Sequence, residues 1–229
     1  MIQFTDMTDM SVEVTFPKEF KMNLGAEILK MPLEKIKTNS FNSAEIPFGR
    51  LVNDIFSDIP IASLRGKYGM FQLRRKRLTM VLFLKGGLVR PSSVKKVQKF
   101  ISDKELRALN VDANYLYGSV LGTLGLSNQI MKIEINSNFE KKGIFSNNFN
   151  NKVKDDFLKK NELDEVWGIS FRRRLKGDKL STEFTYEFEH KDIDEVRVTE
   201  SRKTLFSPFD LASIIDETLK DINKKLSEW

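Results

Sequence analysis

Three blocks of this 229-residue chain occur twice, in the same order and 98 to 102 residues apart. Leu24-Gly-Ala-Glu-Ile28-Leu29-Lys30-Met31-Pro-Leu33 returns as Leu126-Ser-Asn-Gln-Ile130-Met131-Lys132-Ile133-Glu-Ile135. Phe48-Gly-Arg-Leu-Val52-Asn-Asp54-Ile-Phe56 returns as Phe149-Asn-Asn-Lys-Val153-Lys-Asp155-Asp-Phe157, and Tyr68-Gly69 ahead of Arg74-Arg75 returns as Trp167-Gly168 ahead of Arg172-Arg173. Each block alone is weak. Three in fixed order at a near-constant shift point to one supersecondary unit of about a hundred residues used twice.

Periodicity fills in the unit. Residues 1–23 read as a short lead-in, with a strand over Val12–Phe16 ended by Pro17. The first copy, 24–110, predicts a strand (24–37), a helix (48–58), two strands (68–76 and 78–85), a turn at Gly86-Gly87 and a helix opening at Ser92. That last helix carries Val94, Val97 and Ile101 on one face and presents Lys95, Lys96 and Lys99 to a partner. Residues 111–125, with Gly118, Gly122 and Gly125, read as a connector, since no lysine or fixed Gly-x-Gly spacing makes them a phosphate loop. The second copy, 126–229, predicts strands over 128–136, 167–174, 180–189 and around 195–199, with a helix at 149–160. It closes with a helix capped by Ser207, with Pro208 in the first turn and an apolar stripe through Leu211, Ile214, Ile215, Leu219, Ile222 and Leu226. The expected class is α+β: a tandem, pseudo-twofold pair of strand–helix–strands–helix units sharing one curved antiparallel sheet, with the helices on its convex face.

Composition narrows the chemistry. The chain has no cysteine and one histidine, His190, so disulfides, thiolate sites and multi-histidine metal centres are excluded. We expect no enzyme, no metal and no cofactor. The amino terminus lacks the basic and apolar regions of a signal peptide, and the longest apolar run, Met80–Leu84, is far too short to span a bilayer. The expectation is an intracellular protein without a membrane partner, nuclear in a eukaryote and cytoplasmic in an archaeon or a virus. Charge is unevenly spread: residues 60–110 hold thirteen Lys/Arg against Asp103 and Glu105, while 183–200 hold seven acids against Lys191 and Arg197. One region suits a polyanion and another a basic surface, or both are solvated faces.

The stretch Arg77-Leu-Thr-Met-Val-Leu-Phe83-Leu-Lys-Gly86-Gly-Leu-Val89 resembles a segment of the TATA-binding protein family that leads into its long helix. Lys67-Tyr68-Gly69-Met-Phe71-Gln-Leu-Arg74 and Val166-Trp167-Gly168-Ile-Ser-Phe171-Arg172 are similar to its preceding strand in each repeat. The resemblance covers roughly residues 24–107 and 126–229, as pattern rather than identity. It implies a saddle whose concave sheet enters the AT-rich minor groove of double-stranded DNA, with paired aromatic wedges that bend the duplex by about 80°. It also implies work beside a B-type initiation factor and an RNA polymerase assembly, with no small-molecule cofactor. Carried over by position, the first wedge pair is Tyr68, in a register good to one residue, with Phe83. The second is Trp167 or Val166 with Phe188. Arg74 and Arg172 flank the groove strands, and Phe71, Arg77, Phe171 and Arg174 belong to the same strands.

Two departures stand against full DNA gripping. The family's central asparagines are replaced by Glu27 and Gln129, of which Gln129 alone keeps an amide donor. Glu183, Glu187 and Glu189 alternate with Phe184, Tyr186 and Phe188. Either the aromatics pack under the helices and the glutamates face the DNA, or the reverse. The rival functional classes are a protein-interaction module that kept the fold and lost DNA bending, and a nucleic-acid-recognition subunit of a larger processing enzyme.

Overall fold

Alternation of apolar and polar residues sorts this chain into layers. The computed structural model describes residues 1–19, 40–41, 43–45, 60–84, 100–144, 168–174, 182–189 and 193–227. Within them a 3-10 turn (Phe4–Asp6) leads into β1 (Met7–Thr15), followed by β2 (Ser43–Glu45), β3 (Ala62–Arg65), β4 (Gly69–Leu73) and β5 (Arg77–Phe83). Helix α1 (Asp103–Thr123) is followed by β6 (Ile130–Lys141), β7 (Gly168–Arg174), β8 (Thr182–Glu189), β9 (Asp194–Leu205) and helix α2 (Leu211–Ser227). The strands form one nine-stranded sheet in the order β2-β3-β4-β5-β1-β6-β9-β8-β7. Every pairing is antiparallel.

The order has a centre. β1 and β6 lie side by side, each is flanked by the strand that precedes a helix (β5 and β9), and β4 and β8 come next outward. The segment expected to be a lead-in therefore supplies a central strand. Met10, Val12 and Val14 are wholly buried, and the register pairs Val12 with both Met80 and Ile135. The expectation understated β1 because Asp9, Ser11, Glu13 and Thr15 interrupt the apolar residues; they point to the opposite face of the sheet. The one repeated block described in both copies does not fall on matching positions either. Tyr68-Gly69 opens β4, two strands from β1, whereas Gly168 opens β7, three strands from β6. The first-copy partners of the other two blocks, at 24–33 and 48–56, lie outside the described residues.

Both helices cover the same side of the sheet. Tyr117 of α1 reaches Val12 and Met80, while Ile135, the cross-strand partner of Val12, lines a hollow shared with α2. Cross-strand partners share a face. The core is the layer between, built from Leu64, Phe71, Leu73, Leu78, Met80 and Leu82 in one half and Met131, Ile133, Ile135, Tyr186, Phe188, Val196 and Val198 in the other. Each large apolar side chain buried there contributes about 1.5–3 kcal/mol.

The connector expected at 111–125 is the body of α1. Ser102 and Glu105 form a capping box, the serine hydroxyl accepting from Glu105 N and the glutamate accepting from Ser102 N. Leu106, Leu109, Ala113, Leu116, Tyr117, Val120 and Leu121 then bury one face. Gly125, at φ +68°, ends the helix: Leu126 N donates to Leu121 O and Gly125 N to Gly122 O, the Schellman arrangement. The glycines that suggested a turning chain are thus a helix terminus and two exposed helical positions. Of the helix predicted to open at Ser92, only Phe100 and Ile101 are described, and neither is helical: Ile101 is buried, its N donates to Leu84 O, and it precedes the cap. Lys95, Lys96, Lys99 and the predicted helices at 48–58 and 149–160 lie outside the described residues.

α2 begins three residues later than expected. Asp210 rather than Ser207 caps it, its carboxylate accepting from Ala212 N and Ser213 Oγ while its carbonyl accepts from Ile214 N. Asn110 and Asn114 of α1 hold that start in place by bonding Leu211 N and both backbone groups of Phe209.

Candidate nucleic-acid interface

The sheet face away from the helices is the surface the resemblance assigns to DNA. Its residues follow from the alternation: Ser63 and Arg65 on β3, Met70 and Gln72 on β4, Arg77, Thr79, Val81 and Phe83 on β5. β1 adds Asp9, Ser11, Glu13 and Thr15; β6 adds Lys132, Glu134, Asn136, Asn138 and Glu140; β9 adds Glu195, Arg197, Thr199, Ser201 and Lys203; β8 adds Glu183, Thr185, Glu187 and Glu189. Among the described residues neither helix lies on this side.

Short polar side chains tie the centre together across strands. Thr199 donates to Asn136 Oδ1 at 2.7 Å, and Asn136 Nδ2 reaches Ser11 Oγ at 3.4 Å. Asn138 donates to Asp9 at 2.6 Å and accepts from Arg197 Nε at 3.0 Å, and Arg197 pairs with Glu187 at 3.6 Å. In the first half, Arg74 donates to Gln72 and Thr79, and Thr79 and Arg77 both donate to Glu13. The face is a hydrogen-bonded lattice; among the described residues its apolar ground is Met70, Val81 and Phe83 in the first half and the exposed Ile130–Leu205 pair at the end of β6 and β9.

The two halves differ in charge. Arg65, Arg74 and Arg77 dominate the first half around Glu13. In the second half Glu140, Glu195 and Glu189 stand in a row across β6, β9 and β8, each directly opposite the next. Glu13 faces Glu134 across the central pair in the same way. Like charges directly opposite cost stability. The alternation on β8 resolves to aromatics inside and glutamates outside: Tyr186 and Phe188 are buried while Glu183 and Glu187 are half-buried on the open face and Glu189 is exposed there.

The expected DNA-contacting residues divide accordingly. Arg77 and Phe83 stand on the open face, and Arg74 reaches it through Thr79. Phe71 and Phe188 do not: both are core residues on the helix side, Phe71 in edge contact with Tyr117 at 5.0 Å. Their strand positions have the wrong parity for the open face. Tyr68 is 5% exposed, with the Lys67 ammonium 4.4 Å above its ring and its hydroxyl without a hydrogen-bond partner among the described residues. Its backbone is opposite Phe83, whose N donates to Tyr68 O at 2.8 Å, so the two wedge positions are neighbours, but only Phe83 presents surface. Gln129 is exposed in the turn before β6 and bonds Gly125 O. Arg172 and Arg174 lie in β7 with Cα partners Thr185 and Glu183, and Phe171 is opposite Tyr186. Trp167, Val166 and Glu27 lie outside the described residues. Sequence reasoning missed Asn136, Asn138, Thr199, Ser11 and Asp9 because β1 was not placed at the centre; once it is, the polar positions of β1, β6 and β9 align by parity alone.

The hollow that Ile135 shares with α2, of about 410 Å³, lies on the helix side between α2 and strands β6, β8 and β9. Phe184, Tyr186, Ile135 and Val198 give it an apolar floor, and Glu200, Glu217, Asp221 and Lys224 border it. Burial raises the pKa of Glu200, Arg202 opposes the shift and Glu217 adds to it. Tyr186 donates to Asp221 there. Among the described residues no group of His, Cys, Asp or Glu has the arrangement of a metal site, and no helix is long and apolar enough to cross a membrane.

No family model matches the chain, and no curated protein matches it closely enough to argue kinship.

Proposed function

We propose that the chain is a platform of the TATA-binding-protein type: two like half-sheets meeting at the β1–β6 pair, docked by their open face on double-stranded DNA, acting in transcription initiation beside a B-type initiation factor and an RNA polymerase. The observation that carries this reading is the strand order, which runs outward from a central antiparallel pair in the same sense on both sides, with the helix after each half on one face and the other face left to a ligand. The first half supplies the grip. Arg65, Arg74 and Arg77 meet phosphates, and Phe83 with Val81 and Met70 gives the apolar contact that an opened base step accepts. The second half repels: its row of Glu140, Glu195 and Glu189 keeps the phosphates away unless β7, with Arg172 and Arg174 at the sheet edge, compensates. DNA engagement is therefore lopsided, and the bend is smaller than a symmetric saddle imposes.

The same acidic row favours a second reading, in which the fold serves as a protein-interaction module with a basic partner on the second half. Fluorescently end-labelled AT-rich and GC-rich duplexes, titrated with the protein over a salt series, separate the two. AT-preferring binding that weakens with salt, a shortened end-to-end distance, and loss of that shortening in Phe83→Ala support the DNA reading. Absence of binding at low salt rejects it in favour of the protein partner.

A further inference from the structure

The outward crest of α1 is not the polar surface a solvated helix presents. Val111 is 62% exposed and Tyr115 38%, and Gly118 and Gly122 are exposed farther along. At 3.6 residues per turn these four positions fall within an arc of about 60°, so they make one stripe of two large apolar residues followed by two glycines. Nothing among the described residues requires the glycines. Neither has a positive φ; a methyl group added at Gly118 meets no atom within 4 Å, and one at Gly122 meets only Ser127 Oγ at 3.8 Å. Glycine is the poorest helix former after proline. Its use at two exposed helical positions, one of them in the last turn, beside exposed apolar side chains, fits a second backbone that comes close to this helix.

We propose that the crest is the interface of a homodimer in which α1 packs antiparallel against α1 of a second copy across a twofold axis. The occupant follows from the order of the residues. An axis beside the midpoint between Tyr115 and Gly118 sets Tyr115 of each copy against Gly118 of the other, and in the same register sets Val111 against Gly122. Large meets small at every position, and the patch is its own complement, as an isologous contact demands. A parallel pair puts tyrosine on tyrosine and leaves glycine facing glycine. Charge runs the same way. α1 has no basic residue in its last turn, whereas Lys104 and Arg107 are exposed near its start. Antiparallel docking brings those cations to the partner's helix C-terminus, where the helix dipole places partial negative charge. The contact lies on the helix side of the sheet and leaves the open face free.

A single helix pair is a small contact, so association in the micromolar range is expected. Sedimentation velocity of the full chain over about 1 to 100 μM then shows a monomer moving to a dimer. Gly118→Leu, which fills the gap, weakens association at least tenfold while the far-ultraviolet dichroism is kept and the thermal midpoint of the dilute protein stays or rises, because leucine is the better helix former. Tyr115→Ala weakens it likewise. The chain has no cysteine, so nitroxides on Ser119→Cys and Lys104→Cys report the geometry: close together across the axis for position 119, and about 40 Å apart along it for position 104. A chain that stays monomeric throughout overturns the proposal. A Gly118→Leu variant that dimerises as well as the parent, or short distances at both labelled positions, overturns it too.

Discussion

Replacing Tyr117 by phenylalanine removes one oxygen atom from the middle of the molecule. That oxygen accepts from Met80 N at 3.0 Å and donates to Val12 O at 2.5 Å, and Val12 and Met80 are partners across β1 and β5. A residue of α1 thus joins two sheet strands through its hydroxyl. Burial pushes the phenol well above its ordinary pKa, so it stays a protonated donor throughout the working pH range. The ring keeps its neighbours in the variant: Phe71 at 5.0 Å, Phe206 stacked at 5.3 Å and Phe209 at 5.6 Å. No large cavity opens, and the loss is the desolvation of an amide N–H and a carbonyl left buried without their partner, about 1–3 kcal/mol for each group. Because the carbonyl has a second lone pair, we place its share at the low end and expect a total of about 3 kcal/mol. For a chain of this length that lowers the thermal midpoint by about 6–12 °C. Urea unfolding measures it directly, with the midpoint falling and the slope unchanged. A loss below about 0.5 kcal/mol refutes the reasoning, since it means that the two strands pair directly once the phenol is gone.

Three further perturbations test other links. Glu105→Gln removes the ionised half of the α1 capping box. The backbone N–H of Ser102, offset in part by burial and aided by the Ser102 hydroxyl and Lys67, lowers the Glu105 pKa from 4.5 to about 2. The folded pKa lies below the unfolded one, so the stabilisation is complete above about 4.5 and disappears as pH falls toward about 2. With the side chain 36% exposed, screening holds it to about 1 kcal/mol, and the parent and variant stability curves should converge in acid. Gly66→Ala sets a Cβ 1.6 Å from Ser40 O, a backbone clash that no rotamer relieves; loss of about 3 kcal/mol or failure to fold is expected, and a soluble variant with the parent's thermal midpoint contradicts the placement of Ser40. Arg77→Ala should lower the salt slope of DNA binding by about one unit if that guanidinium reaches a phosphate, and leave it unchanged if Glu13 holds it back.

The elements that could be read from sequence are those in which one face decides. Met80, Leu82 and Leu84 against Val81 and Phe83 gave β5 its two sides, and the fully buried members are the three expected to share a face. The C-terminal stripe from Leu211 to Leu226 located α2, although the cap moved to Asp210 because its carboxylate reaches Ala212 N. Elements that depend on partners far along the chain were harder to see. β1 is central because β5 and β6 arrive on either side of it, and neither arrival is visible within Met7–Thr15. α1 was hidden by its glycines, whose positions record what lies outside the helix and at its end rather than a break in it. The one repeated block described in both copies does not fall on matching positions, since Tyr68-Gly69 and Gly168 open strands at different distances from the centre.

That mismatch bears on function. A face that bends DNA symmetrically needs matching anchors at matching sheet positions. Here Phe83 stands on β5, while the residue expected to pair with the second wedge, Phe188, is turned into the core of β8. In its place the second half shows a row of glutamates set directly opposite one another, with the Arg197–Glu187 pair at 3.6 Å beside it. If cations from a partner neutralise that row, then raising ionic strength alone should stabilise the isolated protein, because screening relieves the repulsion that the partner otherwise removes. Glu195→Gln, at the centre of the row, should raise the unfolding free energy at low salt by about 0.5 kcal/mol and lose its advantage at high salt. A salt-independent gain, or none, means that the row is already neutralised within the chain, and the acidic half then gives no argument for a basic partner.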